Sequence, residues 1–208
     1  MKKIAIVDFE GGNLFSVIQA CKTIGLNPFI THNYQEILKS DGLILPGVGS
    51  FPHAMKVLNK KDLVSPIKDF ISSNKPFMGI CLGFQLLFSE SDEFENSKGL
   101  DIIQGSVKKF NFKNKKIKVP QIGWNKIYKK NNWDNSPLRH VKQNEYMYFV
   151  HSYFVLPNNE KDILSLTNYE EFEYCSSIKK NNIFATQFHP EKSGLLGLKI
   201  YKEWSKIL

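Results

Sequence analysis

Only three cysteines, Cys21, Cys81 and Cys175, occur in the 208 residues of this chain. An odd number at such wide spacing suits neither a disulfide framework nor a zinc site, so reduced thiols are expected. No run of about 18 apolar residues is present to cross a membrane. The N-terminal MKKIAIVDFEGGN turns acidic and glycine-rich too early for a signal peptide, and the cytoplasm is the expected location. Neither repeats nor low-complexity linkers interrupt the chain, so residues 1–208 are expected to form a single domain.

What is there suffices for a full core, since 42% of residues are hydrophobic and 13% aromatic. The formal charge is +8 and the pI is about 9.2, a balance that raises nucleic acid as a partner. The densest basic segment, KKFNFKNKKIKVP (108–120), instead alternates apolar and basic positions as a strand with one wet face does. Other lysines are scattered along helical patterns, so no nucleic-acid partner is expected. A positive field serves anionic metabolites or an acidic protein equally well.

Strand and helix alternate through the first ninety residues. KIAIVDF, NPFITH, GLILPG and PFMGIC read as strands, and LFSVIQACKTIG, YQEILK, FPHAMKVLNKK and DLVSPIKDFISSN as helices. That alternation predicts a parallel sheet covered on both faces. The second half reads mostly as strands: DIIQGSVKKF, QIGWNKIY, EYMYFVHSYFVL, ILSLTN, EYCSSIKK and IFATQFHP. GLLGLKIYKEWSKIL closes the chain as a helix. The fold class is therefore α/β, with a mixed, largely parallel sheet flanked by helices and a strand-rich second half.

At Gly79-Ile80-Cys81-Leu82-Gly83 a glycine stands two positions either side of the cysteine. This is the spacing of a nucleophile elbow, a sharp strand-to-helix turn that lifts the nucleophile into an exposed position. A cysteine so placed sits at a helix N-terminus, where the dipole favours thiolate, and the Leu82 N–H points to where an oxyanion forms. The alternative is a buried Cys81 acting as a small hydrophobe, the role expected for Cys21 and Cys175. A nucleophile needs a base, and His189 ends the apolar segment IFATQF, with Pro190 next and Glu191 two positions on. Residues i and i+2 of an extended segment project to one side, so Glu191 is placed to orient the imidazole. Proline keeps its predecessor extended.

GICLGFQLL together with QFHPE resembles the class I glutamine amidotransferases, whose triad is Cys, His and Glu in this chain order on a flavodoxin-like α/β core. FEGGNLFSV (9–17), PGVGSFPHAM (46–55) and FHPEKSGLLG (188–197) are similar to the glutaminase subunits of imidazole glycerol phosphate synthase. The resemblance runs from the first strand to the last helix. It implies that Cys81 attacks the side-chain amide carbon of glutamine, that His189 accepts the thiol proton and later delivers one to ammonia, and that Glu191 orients His189. It further implies an oxyanion hole from the Leu82 N–H and the Gly47-Val48 backbone, and a glutamine pocket with Gly49, Gln85, His151, Ser152 and Tyr153. The Gly47-Val48-Gly49 stretch also reads as a plain tight turn, and Ser152 and Tyr153 as alternating strand residues. No cofactor and no metal is implied.

The same resemblance implies a heterodimer with a (βα)8-barrel cyclase subunit that receives the ammonia, and places Asn13, Trp124 and Asn125 at the interface. A buried core Trp124 is the alternative. One departure stands out: Pro120-Gln121-Ile122 precedes Gly-Trp-Asn where the family carries a His-Met or similar pair. It leaves open a paralogue that feeds ammonia to a different synthase, such as a sugar amidotransferase. A stand-alone cysteine hydrolase would need no partner, and a non-catalytic basic binding module would leave Cys81 unreactive toward glutamine analogues.

Overall fold

The computed structural model describes residues 1–113, 116–170 and 172–208. Its first part is built as β1 (Lys3–Val7), α1 (Leu14–Thr23), β2 (Asn27–Thr31), α2 (Tyr34–Lys39), β3 (Gly42–Gly47), α3 (Phe51–Lys60), α4 (Val64–Ser72) and β4 (Phe77–Cys81). β1 pairs in parallel with β2 and β3, and β3 with β4. Every residue of β3 and of β4 is buried, as a strand covered on both faces requires. Alternation along β1 divides the core: Ala5 and Val7 join Ile37, Leu58, Ile67 and Phe70 from α2 to α4, while Ile4 and Ile6 join Val17 of α1 and the final helix. The parallel sheet flanked by helices is thus as expected.

Beyond Cys81 come α5 (Leu82–Gln85), β5 (Phe88–Ser91), β6 (Ser97–Lys98), β7 (Ile103–Lys109), β8 (Gln121–Lys129), β9 (Glu145–His151), β10 (Tyr153–Pro157), β11 (Ile163–Tyr169), β12 (Phe172–Lys180), β13 (Ile183–Thr186) and α6 (Gly194–Ser205). β13 returns parallel to β4, and the order then runs β13-β12-β10-β7-β5-β6, with β11 linking β12 to β8 and β8 pairing β9. Two registers matter for the site. Gly47 lies opposite Cys81, and Thr186 lies opposite Ile80, so the carboxyl ends of β3, β4 and β13 meet in one row. Crevices at strand carboxyl ends are where open α/β sheets bind ligands.

Several expected elements differ. The basic segment 108–120 is not one strand: Lys108 and Lys109 end β7, and the described residues after them form none. Phe110 and Phe112 are both buried, stacked with centroids 5.6 Å apart and packed on Tyr169 and Phe172. Ring burial, not ladder pairing, holds that segment; Asn114 and Lys115 lie outside the described residues. EYMYFVHSYFVL breaks at Ser152 into β9, which pairs β8, and β10, which pairs β7 and β12. IFATQFHP keeps its ladder only to Thr186. The short strands β5 and β6 carry no apolar alternation long enough to announce them.

Candidate active site

Cys81 closes β4 and caps α5 with φ 55° and ψ −110°, a left-handed conformation that a side-chain-bearing residue adopts only under constraint. The constraint is packing below the turn. A Cβ on Gly83 would fall 1.8 Å from the Leu45 carbonyl oxygen, so only glycine lets α5 start so close to β3. The thiol is buried among β4, β9 and the segment after β13. Cys81 Sγ lies 3.8 Å from the Val150 carbonyl oxygen and receives the Gln187 side-chain N–H at 3.7 Å.

His189 Nδ1 lies 2.7 Å from Glu191 Oε1, both side chains being buried. The two-residue spacing acts differently from expectation: His189 is extended at φ −100° and ψ 95°, but Glu191 sits in a 3-10 turn, Pro190–Lys192. That turn folds the carboxylate back to the ring. His189 Nε2 has no hydrogen-bond partner among the described residues. Burial works against the imidazolium, but the nearby Cys81 and then Glu191 outweigh it, raising the ring to about 10. Both neighbours thus favour the protonated ring beside the Cys81 sulfur.

A cavity of about 260 Å³ opens over the sulfur, lined by Val48, Gly49, Leu82 and Gln85 on one side and His151, Ser152 and Tyr153 on the other. Gly49 takes φ +105°, so the turn after β3 needs glycine there. Gly47 lies beside Leu82, to which an added Cβ would come within 3.0 Å. Gln85 Nε2 donates to the Tyr153 carbonyl and to Gln187 Oε1, each at 2.9 Å. His151 holds the same Tyr153 carbonyl through Nδ1 at 2.8 Å, and burial lowers its pKa to about 4, so the ring is neutral.

The structure thus gathers the elbow, the glycine turn and the HSY segment at one place. Three residues there escaped the sequence reading, Glu93, Val150 and Gln187, and Pro120, noted in it only as a departure from the family pattern, lines the cavity. Glu93 lies in the cavity wall and accepts the Phe51 N–H at 2.6 Å, capping α3 where the Ser50 side chain does not. Burial raises its pKa, with the Phe51 bond opposing. Nothing in the acidic stretch around it marks one carboxylate as special. Gln187 was findable, since it stands two residues before His189 in the same extended segment.

The expected interface residues are dispersed in role. Asn13 caps α1, its side chain accepting the Ser16 N–H at 3.3 Å. Asn125 donates to the Asn168 carbonyl at 2.7 Å. Trp124 is 56% exposed, which removes the core alternative. Its ring lies 6.0 Å from Tyr148, which in turn lies 6.4 Å from His189. Cys21 and Cys175 are core residues whose thiols burial pushes up, Cys21 to about 12.

Residues 5–201 match the glutamine amidotransferase class-I family. The chain is similar over 99% of its length to the structure of PurLQS from Thermotoga maritima, at TM-score 0.75 and 19% identity covering 99% of that chain, which shows the fold. It is 42% identical over 205 residues, 99% of this chain and 95% of the relative, to imidazole glycerol phosphate synthase subunit HisH of Bacillus mycoides (strain KBAB4). Identity is 44% over 204 residues, 98% of each chain, to the HisH subunit of Methanosarcina acetivorans, and 45% over 201 residues, 94% and 90%, to that of Cyanophora paradoxa. The chain belongs to the class-I glutamine amidotransferases and, among them, to the HisH family of synthase subunits.

Proposed function

We propose that this chain is the glutaminase subunit of an imidazole glycerol phosphate synthase, one glutaminase domain over residues 1–208, working in the cytoplasm in histidine biosynthesis. Glutamine enters the cavity with its amide carbon toward Cys81. His189 takes the thiol proton, the sulfur attacks the amide carbon, and the oxyanion is met by the N–H of Leu82 and backbone of Gly47 and Val48. The imidazolium gives its proton to the leaving nitrogen, ammonia departs, and a thioester remains. Water, deprotonated by His189, then releases glutamate. Glu191 keeps the ring oriented throughout. Gln85 and the Glu93 carboxylate supply an acceptor and a negative charge for the glutamine N–H and ammonium groups, with Gly49, His151, Ser152 and Tyr153 closing the pocket.

Ammonia passes to a (βα)8-barrel cyclase partner. The partner face is read at Asn13, Trp124 and Asn125, with exposed Phe15, Ile122 and Leu195 adding apolar area. The observation that carries the reading is the thiol held at a positive φ inside the cavity, beside the His189–Glu191 pair. The names of the relatives favour this synthase over a different ammonia acceptor. The departure at 120–122 touches the site itself, since Pro120 lines the cavity and Gln121 is buried against Tyr174.

The test is glutamate release from glutamine by the protein alone and with the barrel subunit and its phosphorylated substrate, with Cys81→Ala as the zero. Low basal release that rises many-fold in the full mixture is expected. Hydrolysis unchanged in Cys81→Ala would refute the nucleophile, and a barrel without effect would refute the partner.

A further inference from the structure

Gln187 is fully buried, one residue past the end of β13, with its own N–H bonded to the Ser176 carbonyl at 2.9 Å. The β13–β4 register, Thr186 opposite Ile80, brings the next residue alongside Cys81. Its side chain spans two groups of the site: Oε1 accepts from Gln85 Nε2 at 2.9 Å, and Nε2 donates to the Cys81 sulfur at 3.7 Å. The orientation of both amides follows from donor and acceptor chemistry. Gln85 faces the Tyr153 backbone carbonyl, which can only accept, so its NH2 must lie on that side, next to Gln187. Gln187 therefore turns its oxygen to Gln85 and is left with its NH2 toward sulfur. That leaves the Gln85 oxygen as its acceptor for the cavity that it lines.

We propose that Gln187 is a positioning residue for the glutaminase reaction, stabilising the Cys81 thiolate with one end of its amide and setting the substrate-facing orientation of Gln85 with the other. The proposal rests on the reading of Cys81 as the nucleophile. A sulfur anion accepts an N–H more strongly than a thiol does, so the donor favours the attacking form.

Two variants separate the two ends. Gln187→Glu keeps an acceptor for Gln85 but loses the donor to sulfur, whereas Gln187→Met, close in volume, loses both. The first readout is the pH dependence of Cys81 alkylation by iodoacetamide, which needs no glutamine turnover and uses Cys81→Ala as background. Its half-maximal pH is expected to rise by about one unit in Gln187→Met, which removes the donor without adding a charge beside the sulfur. The second is glutamine turnover in complex with the barrel, where KM is expected to stay within about twofold in Gln187→Glu and to rise about tenfold in Gln187→Met. Folded variants with an unshifted alkylation profile and equal KM values would overturn the proposal. Loss of the wild-type response to glutamine, with the alkylation shift intact, would instead overturn the glutaminase reading and leave the Gln187–Cys81 contact standing.

Discussion

Glu191 Oε1 sits 2.7 Å from His189 Nδ1, and the two side chains are 2% and 3% exposed. A carboxylate at that nitrogen keeps the proton on Nδ1 and leaves Nε2 to face the sulfur. Glu191→Gln keeps the shape and removes the charge. Turnover of glutamine is expected to fall on the order of 10³-fold with the melting temperature little changed. Steady-state kinetics in the presence of the proposed barrel subunit checks this, and a loss below tenfold would rule out Glu191 as the orienting carboxylate of the proposed triad.

His151 gives a pH signature of its own. Burial lowers its pKa from 6.5 to about 4, so the unfolded chain binds a proton there before the native state does. Its contribution is complete above about 6.5 and is lost as the pH falls toward about 4. Between pH 7 and pH 4.5 the wild type is expected to lose about 2–3 kcal/mol more than His151→Gln, by urea unfolding at the two pH values. Equal losses would show that the native ring takes up its proton as readily as in the unfolded chain.

Gly83→Ala tests the packing beneath the elbow. The new Cβ would overlap the Leu45 carbonyl oxygen, a backbone atom of a buried central strand that has no room to retreat. Destabilisation of about 3 kcal/mol or more is expected, with loss of glutaminase activity as α5 shifts. Denaturation midpoints read the first, glutamate release the second.

Trp124→Ala tests the partner face. The ring is more than half exposed, so the isolated chain should keep its stability within about 0.5 kcal/mol. Removal of an interface aromatic is expected to weaken binding of the barrel subunit at least tenfold by calorimetry. Unchanged affinity would move the interface elsewhere on the surface.

The parallel half of the fold was legible because its strands are continuous apolar runs and its helices are amphipathic between glycine or polar stops. β3 and α2 fall at the expected residues. The antiparallel half was less so. The break at Ser152 and the short pair β5 and β6 depend on which neighbours the chain meets, a choice that local alternation does not encode. The basic stretch after Lys109 misled for the same reason, since Phe110 and Phe112 alternate like strand residues but bury their rings in an aromatic cluster.

The sequence by itself determined the turn at Cys81 and the extended His189, because glycines there permit a close strand-to-helix turn and a proline restricts the residue before it whatever surrounds them. It also determined which groups are available for acid–base chemistry. Only the tertiary structure decided that Glu191 reaches His189 through a 3-10 turn, that Glu93 enters the cavity wall, and that Gln187 bridges Gln85 to the sulfur. The Gln187 contacts join segments more than a hundred residues apart, and strand register between β4 and β13 sets them, which no local pattern of residues records.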